Sequence, residues 1–309
     1  MAVPDWPTSY GYNMFLFPVS QWVGGVFYEH THRLAASAVG LLTTILAIGL
    51  WMKEERRWVR RLGVLAWVAV CVQGLLGGLR VTLYKQELGI FHAALAQVFL
   101  ITVSAIAFVL SAKWHRLVGQ GRSIRFHRWF RRSILASTLL ILGQLVIGAT
   151  MRHQHAGLAV PDFPLAYGRV WPQTDANVLE KVNRSRLDYR DFAPITAAQI
   201  YLHMAHRFNA CLILAFVLFS RYLAGKGEAN IPMRRLTNGW LGLILFQAFL
   251  GAYTIWSNKA ADVATAHVAF GAASLVAGAL LYLATAPVAA PSRFACESAL
   301  PQGTPALIS

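Results

Sequence analysis

The chain has 309 residues, 28 of them basic and 13 acidic, for a net charge of +15. Hydrophobic residues make up 56% and charged residues only 13%, about half the charged share of an ordinary soluble domain. This excludes a disordered chain, and because the basic residues sit between long apolar runs it points to a multi-pass membrane protein in contact with lipid, not to nucleic-acid binding. Cys71, Cys211 and Cys296 are far apart and two lie in apolar runs, so neither a disulfide framework nor a cysteine metal site is expected.

In chain order, the sequence opens on Ala2-Val3-Pro4-Asp5-Trp6-Pro7-Thr8-Ser9-Tyr10-Gly11. A first span is predicted at 30–51, headed by His32 and Arg33 with Glu29 just before it. The link 52–61 holds Lys53, Arg56, Arg57, Arg60 and Arg61. A second span, 62–83, carries Gln73, Gly77 and Gly78, and a third, 92–112, starts at His92. The basic link 113–132 follows, with His115 and His127 expected in solvent. The fourth span, 133–152, contains Gly148. The long link 153–198 mixes both charges, is too polar to cross the membrane and is expected to cap one face, with His153 and His155 in it. The fifth span, 199–221, carries His203, His206 and Arg207, and the link 221–235 is basic again. The sixth, 236–257, holds Gln247 and Gly251, and the seventh, 265–287, holds His267. The tail 289–309, rich in Ala, Pro and Ser, is expected to be disordered. The three basic links belong in the cytoplasm by the positive-inside rule, which puts 153–198 and the histidine-bearing span heads on the outer side.

The two halves of the chain resemble each other. Residues 2–11 match Ala159-Val160-Pro161-Asp162-Phe163-Pro164-Leu165-Ala166-Tyr167-Gly168. His32-Arg33 matches His206-Arg207, Gln73 and Gly77 match Gln247 and Gly251, and His92 matches His267. The order is kept throughout, as expected of a duplication. A span, 133–152, precedes the second copy of the loop, whereas the first copy begins one residue after Met1. The expected architecture is therefore all-α and polytopic: two pseudo-symmetric four-helix bundles, here with seven spans and the first helix of the first bundle missing. A misplaced start explains that absence, with a genuine seven-helix variant as the alternative. Seven spans put the N-terminus outside and the C-terminus inside; eight would put both inside. The corresponding division is 1–115, a linker 116–132, and 133–288.

Histidines at one depth in a membrane are expensive and point to function. A pair on neighbouring helices of a bundle can ligate a haem iron from both faces, and His32/His92 and His206/His267 would make two such sites. His30 and His203 are rival ligands. Arg33 and Arg207 are placed either to hold a haem propionate or to snorkel to the interface. Gly77, Gly78, Gly148 and Gly251 allow close approach of a helix or of a macrocycle. Glu29, standing where the second half has His203, is a candidate general base, or else simply the i, i+4 partner of Arg33.

On these residues the chain resembles the haem A synthase family, membrane enzymes that oxidise haem O to haem A for cytochrome oxidase. Its Glu-x-x-His-Arg pattern stands at Glu29 to Arg33, and its Pro-Asp-Trp-Pro loop at Pro4 to Pro7 and Pro161 to Pro164. The resemblance covers residues 2–287. It implies substrate haem O between His32 and His92, a haem b between His206 and His267, and Glu29 as the catalytic carboxylate. It implies oxidation of a porphyrin methyl group to a formyl, with oxygen from water. It further implies a haem O synthase upstream, cytochrome oxidase assembly downstream, an unspecified electron acceptor, and a bacterial plasma membrane or mitochondrial inner membrane. Where many family members carry paired cysteines near these loops, this chain has Val3 and Ser9, then Val160 and Ala166, so no loop disulfide forms. A non-catalytic di-haem cytochrome b exchanging electrons with quinone is the alternative reading of the four histidines.

Overall fold

The structure is a computed structural model describing residues 2–114, 126–185, 193–228 and 231–285. His115, linker residues 116–125 and the tail 289–309 lie outside the described residues.

Eight α-helices are present among them: α1 (Gly24–Lys53), α2 (Arg57–Leu83), α3 (Gln86–Leu110), α4 (Arg128–His153), α5 (Ala176–Ser185), α6 (Ala197–Leu223), α7 (Ile231–Trp256) and α8 (Ala261–Ala284). All but the short α5 are long and apolar enough to cross a membrane. The protein is an all-α, multi-pass membrane protein.

The helices overrun the stretches marked by hydropathy. α1 starts at Gly24, not near 30, and α4 at Arg128, not near 133, so Arg128, Arg131 and Arg132, read as part of a link, are helical. Hydropathy marks what lies in hydrocarbon, but a helical backbone satisfies its own polar groups and continues past it. His92 and His267 consequently sit in the second turn of their helices, and His32 and His206 in the third.

In the second half, α4 packs on α6 and α8, α6 on α7, and α7 on α8, closing a ring of four helices. Its core holds Phe130, Ile134, Ile141, Val217, Trp240 and Leu275. Gly278 of α8 lets the ring close: a Cβ there would lie 2.6 Å from Thr138 Oγ1 and 2.7 Å from the Trp240 ring. Ser220 Oγ donates to Ser133 Oγ at 2.9 Å between α6 and α4, and Trp240 Nε1 donates to Ser274 O at 2.9 Å between α7 and α8. In the first half α1 packs on α2 and α2 on α3, and α3 joins the halves by packing on α4 and α8.

Two loops lie at the histidine end. Each contains a cis proline, Pro7 after Trp6 and Pro164 after Phe163. Asp5 accepts the N–H of Tyr10 at 2.8 Å and of Gly11 at 2.9 Å, and Asp162 accepts those of Tyr167 at 2.7 Å and Gly168 at 2.8 Å. Tyr10 and Tyr167 donate their hydroxyls back to Ala2 O and Ala159 O. Gly11 at φ +78° and Gly168 at +73° take the left-handed turn that glycine adopts freely. Burial pushes the Asp5 carboxyl upward, but bonds from Gly11, Thr8 and Tyr10 outweigh it and hold the pKa at about 2.

The link between α4 and α6 is a packed cap. Met151, Ala156, Ala159, Val160, Ala166, Ile195, Ile200 and Met204 form one buried cluster, with Leu179 of α5 against it. α5 was not expected from sequence. Asn183 on it holds Ile195 by both backbone groups, at 3.1 and 2.7 Å. His153 ends α4 and packs on Gly89 of α3, where a Cβ would lie 2.5 Å from its ring. His127 caps the start of α4.

Candidate functional site

Three helices carry Gln-x-x-x-Gly: Gln73 to Gly77 on α2, Gln144 to Gly148 on α4, and Gln247 to Gly251 on α7. The i, i+4 spacing puts both residues on one helix face. Each pair seats a histidine of the adjacent helix. Gln73 Nε2 donates to His92 O at 2.8 Å, Gln144 Nε2 to His206 O at 2.9 Å, and Gln247 Nε2 to His267 O at 2.8 Å. The glycine then leaves room for the ring. A Cβ at Gly77 would meet His92 Cε1 at 3.1 Å, at Gly148 His206 Cε1 at 3.6 Å, and at Gly251 His267 Cε1 at 3.1 Å. Gly77 and Gly251 therefore accommodate imidazoles, a Cβ at Gly148 would make only ordinary contact with its ring, and Gly78 lies under the Trp6 indole, 2.4 Å from a built Cβ. Gln144 was missed by the sequence reading, although its Gln-x-x-x-Gly spacing matches the other two. Asn209 reinforces it, donating to Gln144 Oε1 at 2.8 Å and to Leu140 O at 3.0 Å. Among the described residues no glutamine does this for His32.

The structure brings His206 and His267 together, ring centroids 6.4 Å apart at 63°. A ring nitrogen binds a metal at about 2 Å, so two imidazoles facing one ion stand about 6 Å apart. The spacing fits an iron held from both sides. His206 Nδ1 is buried with no hydrogen-bond partner. In the first half His92 Nδ1–H donates to Gln73 O at 3.1 Å, and since a carbonyl can only accept, Nε2 is left with a free lone pair. His32 is exposed and His92 half-buried, within electrostatic reach of each other but without the ring contact of the second pair.

The rival histidines sit under the loops instead. His30 is fully buried between Phe17 and Trp22, ring centroids 5.0 and 4.7 Å away, with Nδ1 3.3 Å from Ser9 Oγ. His203 Nδ1 accepts the N–H of Val160 at 3.3 Å. The four positions read as cysteine replacements, Val3, Ser9, Val160 and Ala166, are all buried.

The arginines have a use the sequence reading did not weigh. Arg33 Nη1 donates to Asp5 O and Thr8 O, both at 2.8 Å, and Nη2 to Val3 O at 3.1 Å and Glu29 Oε1 at 3.2 Å. Arg207 repeats this on Asp162 O at 2.6 Å, Leu165 O at 2.9 Å and Val160 O at 3.3 Å, with Phe163 beneath its guanidinium. Each arginine staples its loop to its helix. Glu29 is the i, i+4 partner of Arg33, and its Oε2 also accepts the N–H of Ala2 at 2.8 Å and of Val3 at 3.2 Å.

Residues 4–279 match the model of the cytochrome oxidase assembly protein family, COX15-CtaA. The chain belongs to this family. Among its relatives in the cytochrome oxidase assembly family is the heme A synthase of Bacillus cereus strain AH187, 27% identical over 254 residues, covering 78% of this chain and 71% of the relative. The heme A synthase of Bacillus anthracis strain CDC 684 is 26% identical with the same coverage.

Proposed function

We propose that the protein is a haem A synthase that oxidises one methyl group of haem O to a formyl group, with oxygen from water, for cytochrome c oxidase. The observation that carries this reading is the His206–His267 pair, spaced at 6.4 Å. Family membership and the names of the relatives support it.

In this reading the ring of α4, α6, α7 and α8 holds haem b between His206 and His267, and the half formed by α1 to α3 takes substrate haem O between His32 and His92. Haem b, when bound, supplies one-electron redox chemistry near the substrate. His92 presents Nε2 because Gln73 O keeps the proton on Nδ1. Glu29 is the catalytic carboxylate. It has about four lone-pair sites, and three accept bonds from Ala2, Val3 and Arg33, leaving one on Oε1 for a water or a proton. Arg33 has all its Nη protons on the loop and Glu29, so it acts on the substrate site by holding the loop beside it, and Arg207 does the same for haem b. The basic links face the cytoplasm of a bacterium, with both sites near the outer surface of its plasma membrane.

The test is co-expression with a haem O synthase in cells that otherwise stop at haem O, followed by chromatography of extracted haem. Haem A is expected. A purified protein holding two haems b and making no haem A would replace this reading with a di-haem electron carrier.

A further inference from the structure

A groove of about 320 Å³ runs between α1 and α2 at the end that carries the link 52–61, walled by Thr44, Ala47, Ile48 and Trp51 of α1 and by Val64 and Trp67 of α2. The α1 residues follow i, i+3, i+4, i+7, one helix face about 10 Å long. Nearby the two helices touch closely. A Cβ on Gly63 would lie 2.8 Å from Leu50 Cδ1. The pair is thus clamped along one line and splayed on the side that faces lipid, where Trp51 is 62% and Trp67 43% exposed.

The mouth of the groove is cationic. The Arg60 guanidinium lies 5.7 Å over the Trp51 ring. Lys53, Arg57, Arg60 and Arg61 have no ion-pair partner among the described residues; of the two carboxylates in the link, Glu54 holds Arg56 in a two-pronged pair at 2.7 and 3.0 Å and Glu55 is exposed. At the corresponding place in the second half, 174 residues on, Gly225 stands for Trp51 and Leu241 for Trp67, so neither tryptophan has an aromatic counterpart.

We propose that this groove is a binding site for one anionic phospholipid, its acyl chain between Trp51 and Trp67 and its phosphate under the four unpaired cations. The apolar walls give a soluble anion nothing to bind. A zwitterionic headgroup would bring its own ammonium into a cationic cluster. Basic pockets between spans at a membrane surface recognise anionic headgroups on these grounds.

The experiment uses the full-length protein in phosphatidylcholine nanodiscs with and without phosphatidylglycerol. Native mass spectrometry should show one retained phosphatidylglycerol, and acyl-brominated phosphatidylglycerol should quench tryptophan more than brominated phosphatidylcholine. Arg60→Gln should lower retention about fivefold and Arg57→Gln with it further, while Arg60→Lys keeps it. Trp51→Gly with Trp67→Leu should remove the quenching difference. The proposal fails if both lipids are retained and quench equally, if the Arg57→Gln, Arg60→Gln protein binds as before, or if glycerol phosphate alone displaces the lipid.

Discussion

Glu29 and His203 receive the same hydrogen bond in the two halves: Glu29 Oε2 accepts the N–H of Val3 at 3.2 Å, and His203 Nδ1 accepts that of Val160 at 3.3 Å. A histidine therefore suffices to seat the loop, and the carboxylate adds a negative charge that this bond does not require. Glu29→His should keep the loop and the resident haem but cut haem A formation by about a hundredfold or more, the range for loss of a general base. Glu29→Ala should lose the same activity. A Glu29→His protein with normal haem A output would exclude the catalytic role.

The His206–His267 pair should retain haem independently of the first half. His267→Ala, or Gly251→Val, whose side chain would occupy the position 3.1 Å from His267 Cε1, should purify with far less haem b by pyridine haemochrome assay. His32→Ala should keep that haem and lose haem A production. If His267→Ala retained full haem b, the assignment of the resident site would have to move.

Trp6 covers a glycine that cannot grow. Alanine at Gly78 gains up to about 1 kcal/mol of helix propensity. Its Cβ, 2.4–2.6 Å from three indole carbons, costs about 1–3 kcal/mol in overpacking. Gly78→Ala should therefore lower the thermal midpoint in detergent. Adding Trp6→Phe should recover it, since the second half carries Phe163 and Ala252 at the matching positions. An unchanged midpoint in Gly78→Ala would show that the indole moves aside without cost.

The first loop should loosen in acid. Asp5 is held at about 2, below its ordinary 3.8. Its stabilising contribution is fully present above the ordinary value and is lost as pH falls from about 4 to about 2. Hydrogen exchange of loop residues 2–12, corrected for intrinsic rates, should rise over that window in the wild type. In Asp5→Asn it should be flat and faster at neutral pH.

Much of this was legible in the sequence. Seven apolar stretches gave the spans, and the two Pro-Asp-aromatic-Pro motifs marked loops that fold alike. What stayed hidden depends on partners far away in the chain. Arg33 and Arg207 read either as propionate holders or as snorkelling side chains, because nothing local shows that their forks reach carbonyls about 25–45 residues away. Gln144 lay in the one span with no counterpart, so no second copy drew attention to it. α5 is a short polar helix whose reason for forming, contact of Leu179 and Asn183 with the cap, is tertiary.

The side-chain hydrogen bonds of the second half are unevenly distributed. Among the described residues, those linking its membrane-spanning helices run between α4 and α6, through Gln144, Asn209 and Ser220, or between α7 and α8, through Gln247 and Trp240. Each pair is locked against sliding, since even a one-residue slip of about 1.5 Å would break those bonds. Between the pairs, packing holds without such pins. His206 belongs to one pair and His267 to the other, so the space between their rings lies on the seam. When a bilayer thins or the helices tilt to match it, packing alone sets the spacing across that seam, while the hydrogen bonds hold each pair in register.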